Sequence, residues 1–304
     1  MKPLALVCLV LTFIVVVVGA YVRLSDAGLG CPDWPLCYGR AIPDATEDAR
    51  AWKEMAHRYL AGTLGVLIFI LVFAAWRTRQ SPWLAAAIGA LVVLQATLGK
   101  WTVTMLLKPA IVVAHLAGGM ALLALLTWFL LGRLVHAAAP EARALRRAAA
   151  IALLVLSIQI LLGGWVSANY AGLACPDLPL CLGQALPPMD FANAFHIVRE
   201  LGRTEAGELL PQPALTAIHW SHRIFALIVL VAIGWTALRA RRTFPRLAIV
   251  IAMLVLMQFA LGVANVAFSL PLALAAAHNA GAAALLVALV VLNFFAFRGL
   301  RPSR

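Results

Sequence analysis

The chain has 304 residues, of which 64% are hydrophobic and only 12% charged. A soluble globular protein carries about twice that charge, so a water-soluble fold is excluded. The net charge of +12 does not point to a nucleic-acid binder, because the arginines cluster at the ends of apolar runs, where membrane topology accounts for them.

The apolar residues come in blocks of about 20, the length needed to cross a hydrocarbon core of about 30 Å. The first block, "LVCLVLTFIVVVVGAYV", predicts a span at about 3–22 behind Lys2. It has the look of a signal peptide, but no small-x-small cleavage site follows it. A polar loop at about 23–53 holds Cys31 and Cys37, separated by "PDWPL". Spans follow at about 54–76, 82–100 and 109–133, and the first of these opens on "WKEMAHRYLAGTLG" with Glu54, His57 and Arg58. His115 lies in the fourth span. A short basic linker at 136–146 leads to a fifth span at about 147–168. A second long loop at about 169–213 holds Cys175 and Cys181 around "PDLPL". Spans at about 214–238, 245–266 and 272–297 complete the chain, with His219, His222 and Arg223 in the sixth and His278 in the eighth.

The fold class is therefore an all-α membrane protein with eight transmembrane helices. Lys2, Arg77, Arg79, Arg133, Arg143, Arg146, Arg147, Arg239, Arg241, Arg242, Arg246, Arg298, Arg301 and Arg304 share one side, 14 of the 24 Lys and Arg. The positive-inside rule puts that side, with both termini, in the cytoplasm and both long loops outside.

The chain also repeats itself. "AGLGCPDWPLCYG" (27–39) returns as "AGLACPDLPLCLG" (171–183), offset by 144. "EMAHR" (54–58) aligns with "HWSHR" (219–223), offset by 165, and "QATLGKWTV" (95–103) with "QFALGVANV" (258–266), offset by 163. His115 and His278 are also 163 apart, so the change in offset places an insertion in the second loop, around 190–210. The first span thus has a partner in the fifth, which argues for retaining it. Two parallel four-helix bundles are expected, at 1–135 and 147–304, related by an axis along the membrane normal.

Of the seven histidines, His136 and His196 read as solvated loop residues. His57, His115, His222 and His278 lie inside spans, near the outer ends. Ionisable groups there are costly and mark function; the bland alternative is an interhelical hydrogen bond. Zinc wants three or four ligands from a compact motif, whereas haem wants one or two imidazoles and a flat apolar slot. Glycines and alanines close to each histidine leave room for a macrocycle. Two bis-histidine haem sites, one per half and side by side at the outer level, are the economical reading, and that placement argues against a transmembrane electron wire. A transporter with a parallel repeat is disfavoured by the lack of broken mid-membrane helices.

The halves differ at one position. Glu54 sits one turn before His57, and its counterpart is His219. A carboxylate beside a haem pocket can move protons, or Glu54 is simply a helix-entrance acid. His219 reads as a second-shell or interfacial residue. Arg58 and Arg223 suit haem propionates or interfacial snorkelling. The cysteine pairs are not CxxC and no CxxCH is present; each is either a structural disulfide or a redox-active pair in an oxidising compartment. Cys8 is a small apolar residue of the first span.

Together, the intramembrane "EMAHR", the later "HR", the single histidines of the fourth and eighth spans, the tandem four-helix repeat and the loop cysteines resemble the haem A synthase family over essentially the whole chain. The resemblance implies an enzyme of cytochrome oxidase biogenesis in a bacterial inner membrane. It implies oxidation of a haem O methyl group to a formyl group by successive hydroxylations. Carried over, Glu54 is the catalytic carboxylate, His57 and His115 flank the substrate haem O, and His222 and His278 ligate a cofactor haem b through its iron. The partners implied are the lipid bilayer, haem O, the farnesyltransferase that makes it, and an electron donor the sequence does not name. A non-catalytic dihaem electron-transfer protein is the competing reading.

Overall fold

A computed structural model describes residues 1–44, 48–134 and 136–302. Arg304, counted above among the basic residues of one side, lies outside them. Eight long helices are apolar and long enough to cross a membrane: α1 (Lys2–Leu24), α2 (Ala49–Arg77), α3 (Pro82–Thr104), α4 (Pro109–Leu131), α5 (Arg146–Ala168), α7 (Gln212–Ala240), α8 (Pro245–Ala267) and α9 (Leu272–Arg298). A single helical turn, α6 (Phe191–Ala194), lies in the second long loop. The chain is an integral membrane protein. Prolines open α1, α3, α4, α7 and α8 within the first two positions, where a missing N–H costs nothing.

The largest departure from the predicted spans is at α2, which starts five residues before the expected 54. Asp48 caps it, its side chain accepting from Arg50 N–H, and such a cap extends a helix through polar residues that hydropathy alone leaves in the loop. His57 and His222 therefore sit further along their helices than expected. At about 1.5 Å per residue, His57 and His222 lie roughly 12 and 15 Å inside their helix starts at Ala49 and Gln212.

Each helix packs on its sequence neighbour: α1 on α2, α3 on α4, α5 on α7 and α8 on α9. The central element is α9, which also touches α1, α4 and α5. The largest apolar cluster runs through it, joining Met120 and Leu123 of α4 to Leu156, Ile233, Ile251, Leu285 and Leu289. A second cluster lies within α1–α4 and includes Cys8, Ile68, Ile88 and Leu126. The amino terminus reaches the α2–α3 connection, where Thr78 Oγ1 lies 3.6 Å from Met1 Sδ.

The linker 136–146 is ordered in a way the sequence did not announce. His136–Ala138 (β1) pairs antiparallel with Leu300–Pro302 (β2), and a 3-10 turn spans Pro140–Leu145. His136 is consequently not a solvated loop residue. Its ring packs 5.4 and 5.5 Å from those of Phe294 and Phe295, and its Nε2 is 2.6 Å from Leu131 O. His196 is also not free in solvent, since it is half-buried and its Nε2 is 3.0 Å from Glu205 Oε2.

Candidate haem-binding centres

The two cysteine loops fold alike because the same residues make the same bonds. Cys31 pairs with Cys37 and Cys175 with Cys181. Each loop turns through a left-handed pair, Tyr38–Gly39 and Leu182–Gly183. The glycine takes that conformation freely, while an aspartate offsets the cost at the residue before it. Asp33 accepts from the N–H groups of Tyr38 (2.7 Å) and Gly39 (2.8 Å). Asp177 accepts from Leu182 (2.7 Å) and Gly183 (2.8 Å), and the Gly183 N–H above all holds its carboxyl below the usual range.

An arginine from the helix below clamps each loop. Arg58 of α2 donates to the carbonyls of Asp33 (3.0 Å) and Leu36 (2.7 Å). Arg223 of α7 donates to those of Asp177 (2.9 Å) and Leu180 (3.1 Å). The sequence left these arginines to propionates or to interfacial snorkelling; each bonds its loop and the residue one turn before it on its own helix.

Beneath each clamp lies the position where the halves differ. Glu54 is 4% exposed. Its Oε2 accepts from Cys31 N–H at 2.9 Å and its Oε1 from Arg58. His219, also 4% exposed, occupies the same place. Its Nδ1 lies 3.2 Å from Cys175 N and its Nε2 lies 3.3 Å from Arg223 Nε. A neutral imidazole accepts at only one nitrogen, so His219 satisfies one of these donors while the Glu54 carboxylate satisfies both. The first half thus holds a buried carboxylate bonded to its arginine, and the second an imidazole in that place.

The four intramembrane histidines share an environment that sequence reasoning only partly foresaw. A Cβ added at Gly19 of α1 would come within 2.8 Å of His57 Cε1. One at Gly163 of α5 would come within 3.0 Å of His222 Cε1. At Gly99 and Gly262 the distances to His115 and His278 Cε1 are 3.3 and 3.4 Å. Every imidazole therefore lies over a glycine of the preceding long helix. Of the small residues on the histidines' own helices, Gly62 has nothing within 4 Å of an added Cβ, whereas Gly118 and Gly281 lie against Gln95 and Gln258. The missed signal was the repeat itself: Gly19 and Gly163 are 144 apart, and Gly99 and Gly262 are 163 apart.

In all four histidines Nδ1 is buried without a hydrogen-bond partner. His57 lies within electrostatic range of His115, and His222 of His278. His136 and His196 also have an unpartnered Nδ1; what sets these four apart is the glycine behind each ring. Among the described residues, no three His, Cys, Asp or Glu side chains converge as a metal cluster. Two imidazoles per half, each packed on a glycine of another helix, fit a haem, whose porphyrin brings its own four nitrogens.

The comparisons with known proteins fit this arrangement. The sequence model of the COX15-CtaA family, described as cytochrome oxidase assembly protein, matches residues 2–290. The chain belongs to this family. Among its relatives are proteins named heme A synthase. The one from Shewanella oneidensis is 40% identical over 311 aligned residues, covering 95% of this chain and 94% of that protein. The one from Caulobacter vibrioides is 32% identical and covers 96% of this chain and 94% of that protein. The one from Halalkalibacterium halodurans is 30% identical, over 70% of this chain and 73% of that protein.

Proposed function

We propose that this protein is a membrane haem A synthase that oxidises a methyl group of haem O to a formyl group by successive hydroxylations. The observation that carries the assignment of roles is the exchange of Glu54 for His219 beneath two matching loops. On this reading residues 1–135 form the substrate half and 147–304 the cofactor half. His57 and His115 hold haem O, His222 and His278 hold haem b, and the sheet-bearing linker joins the halves. The basic residues support cytoplasmic termini and external loops, in a bacterial inner membrane.

Haem b, when bound, supplies the one-electron redox chemistry of the second half. The rest belongs to the chain's own groups. The glycines let each imidazole pack against the neighbouring helix. Cys31 N–H and Arg58 fix one oxygen each of Glu54, so its carboxylate is held in a single orientation one helical turn from His57. A proton held or released at that carboxylate is the acid–base capacity this half supplies beside His57. Arg58 and Arg223 have their clamp as first duty, and a propionate contact would use the N–H groups the loops leave over. The farnesyltransferase that makes haem O and an electron donor at the outer face are the expected partners.

Expression together with a haem O source, followed by extraction of the haems, tests the proposal: haem A in the extract supports it, and haem b alone under aerobic conditions overturns it. The matching bonds of Glu54 and His219 keep one other reading in view, a dihaem electron-transfer protein. Glu54→Gln separates the two. An electron-transfer protein keeps most of its function with glutamine there, whereas the synthase stops making haem A.

A further inference from the structure

One face of α5 carries two residues aimed at His222. Gly163 makes room for its ring. One turn earlier, Gln159 donates from Nε2 to the backbone carbonyl of His222 at 3.1 Å and lies 3.5 Å from His222 Nε2. That carbonyl already belongs to the α7 ladder, and the glutamine takes its second lone pair. His278 is held in the same manner, since Gln258 Nε2 of α8 donates to its carbonyl at 2.8 Å. Both histidines of the second half are therefore pinned at the backbone by a glutamine from the neighbouring helix.

The first half breaks this pattern at His57, while Gln95 keeps the place of Gln258 at the offset of 163. Gly19 corresponds to Gly163 at the offset of 144, and the residue corresponding to Gln159 is Val15. Val15 carries no donor and packs against the apolar cluster of α1–α4. The His57 ring thus lies over the same glycine as His222 but without the same backbone restraint. In a low-dielectric interior a side-chain amide bond between helices fixes their register and the direction of the histidine.

We propose that Gln159 is a positioning residue for the haem held by His222 and His278, and that Val15 in its place lets the first half exchange its haem. This rests on the proposed division into a cofactor half and a substrate half, and it adds a reason why one haem stays while the other passes through. A permanent cofactor is served by a rigid site. A substrate that must enter, and a product that must leave, are served by a looser one.

The test uses the purified full-length protein carrying haem b and haem O, challenged with excess apomyoglobin. The two haems are followed separately by their pyridine haemochromes. Gln159→Val gives the second half the residue of the first, and Gln159→Met keeps the side-chain length without a donor. In either variant that retains both disulfides and its helical content, haem b should leave about 3- to 10-fold faster, the scale of one interhelical hydrogen bond in a membrane. Its low-spin electron paramagnetic resonance signal should shift or broaden, because the plane of the His222 ring is no longer fixed. Haem O loss should stay as in the wild type. Val15→Gln should slow haem O loss. Unchanged haem b loss and an unchanged spectrum in a folded Gln159→Met variant overturn the inference. A wild-type protein without haem b in its second half overturns instead the division of roles on which the inference rests.

Discussion

Replacing Glu54 by histidine gives the first half the residue that the second half already carries in the same place. Because His219 sits between Cys175 N–H and Arg223 without disrupting its loop, Glu54→His should fold and keep the Cys31–Cys37 disulfide. The cost follows from the bonds. The carboxylate accepts from both Cys31 and Arg58, and a neutral imidazole keeps one of these. Losing one charge-assisted hydrogen bond costs about 1.5–3 kcal/mol. Arg58 also loses its buried counter-ion, but like Arg223 it retains its loop carbonyls, so the penalty should stay below the roughly 3–5 kcal/mol of an orphaned buried charge. Haem A formation should fall much further, by about 10²–10⁴-fold, the usual worth of a positioned acid–base group, because an imidazole held between Cys31 N–H and Arg58 has no lone pair left for proton transfer and a carboxylate does. The assay is haem A extracted from membranes expressing equal amounts of protein, alongside the thermal midpoint of the purified variant. Haem A output within about threefold of wild type, from a folded protein, would refute the reasoning that the carboxylate distinguishes the halves.

Other predictions follow from close contacts and loop chemistry. Gly19→Ala should weaken haem binding in the first half only, because its Cβ would meet His57 Cε1 at 2.8 Å; haem O retention measures this, with haem b as internal control. Gly30→Ala should be the more damaging loop change. Its Cβ would fall 2.5 Å from the Arg50 carbonyl carbon, which is backbone and cannot swing aside, so about 1–3 kcal/mol of stability and the Cys31–Glu54 bond should be lost. The aligned residue in the second half is Ala174, so Ala174→Gly should be mild by comparison. For Asp177, the lowered pKa means its contribution to the second loop is fully present above the ordinary aspartate pKa of about 3.9 and fades only as pH falls through the lower folded value. Hydrogen exchange of the Leu182 and Gly183 amides should therefore stay protected at pH 5, and Asp177→Ala should abolish that protection at every pH.

The eight helices, the matched cysteine loops and the depth-matched histidines were legible in the chain itself. Runs of about 20 apolar residues have one stable solution in a bilayer, a helix that satisfies its own backbone, and a repeated sequence repeats its local bonds. The contrast between Glu54 and His219 was also visible, because it needs only an alignment of the chain with itself. What that contrast means physically was not. Only the folded chain brings Cys31 N–H and Arg58 onto one carboxylate, and Cys175 N–H and Arg223 onto one imidazole that cannot accept from both. The glycines behind the four rings escaped notice for a similar reason. Each lies on a different helix from its histidine, and hydropathy says nothing about which faces of two apolar helices meet. His136 was misjudged because a three-residue strand has too little periodicity to announce itself, and its partner, Leu300–Pro302, lies more than 160 residues away. Composition and repetition thus determined that two similar sites exist in a membrane. The packing of α1 on α2 and of α5 on α7 decided that one histidine is backed by glycine and the other by glycine and glutamine, because a contact between helices depends on which side chains the crossing brings face to face.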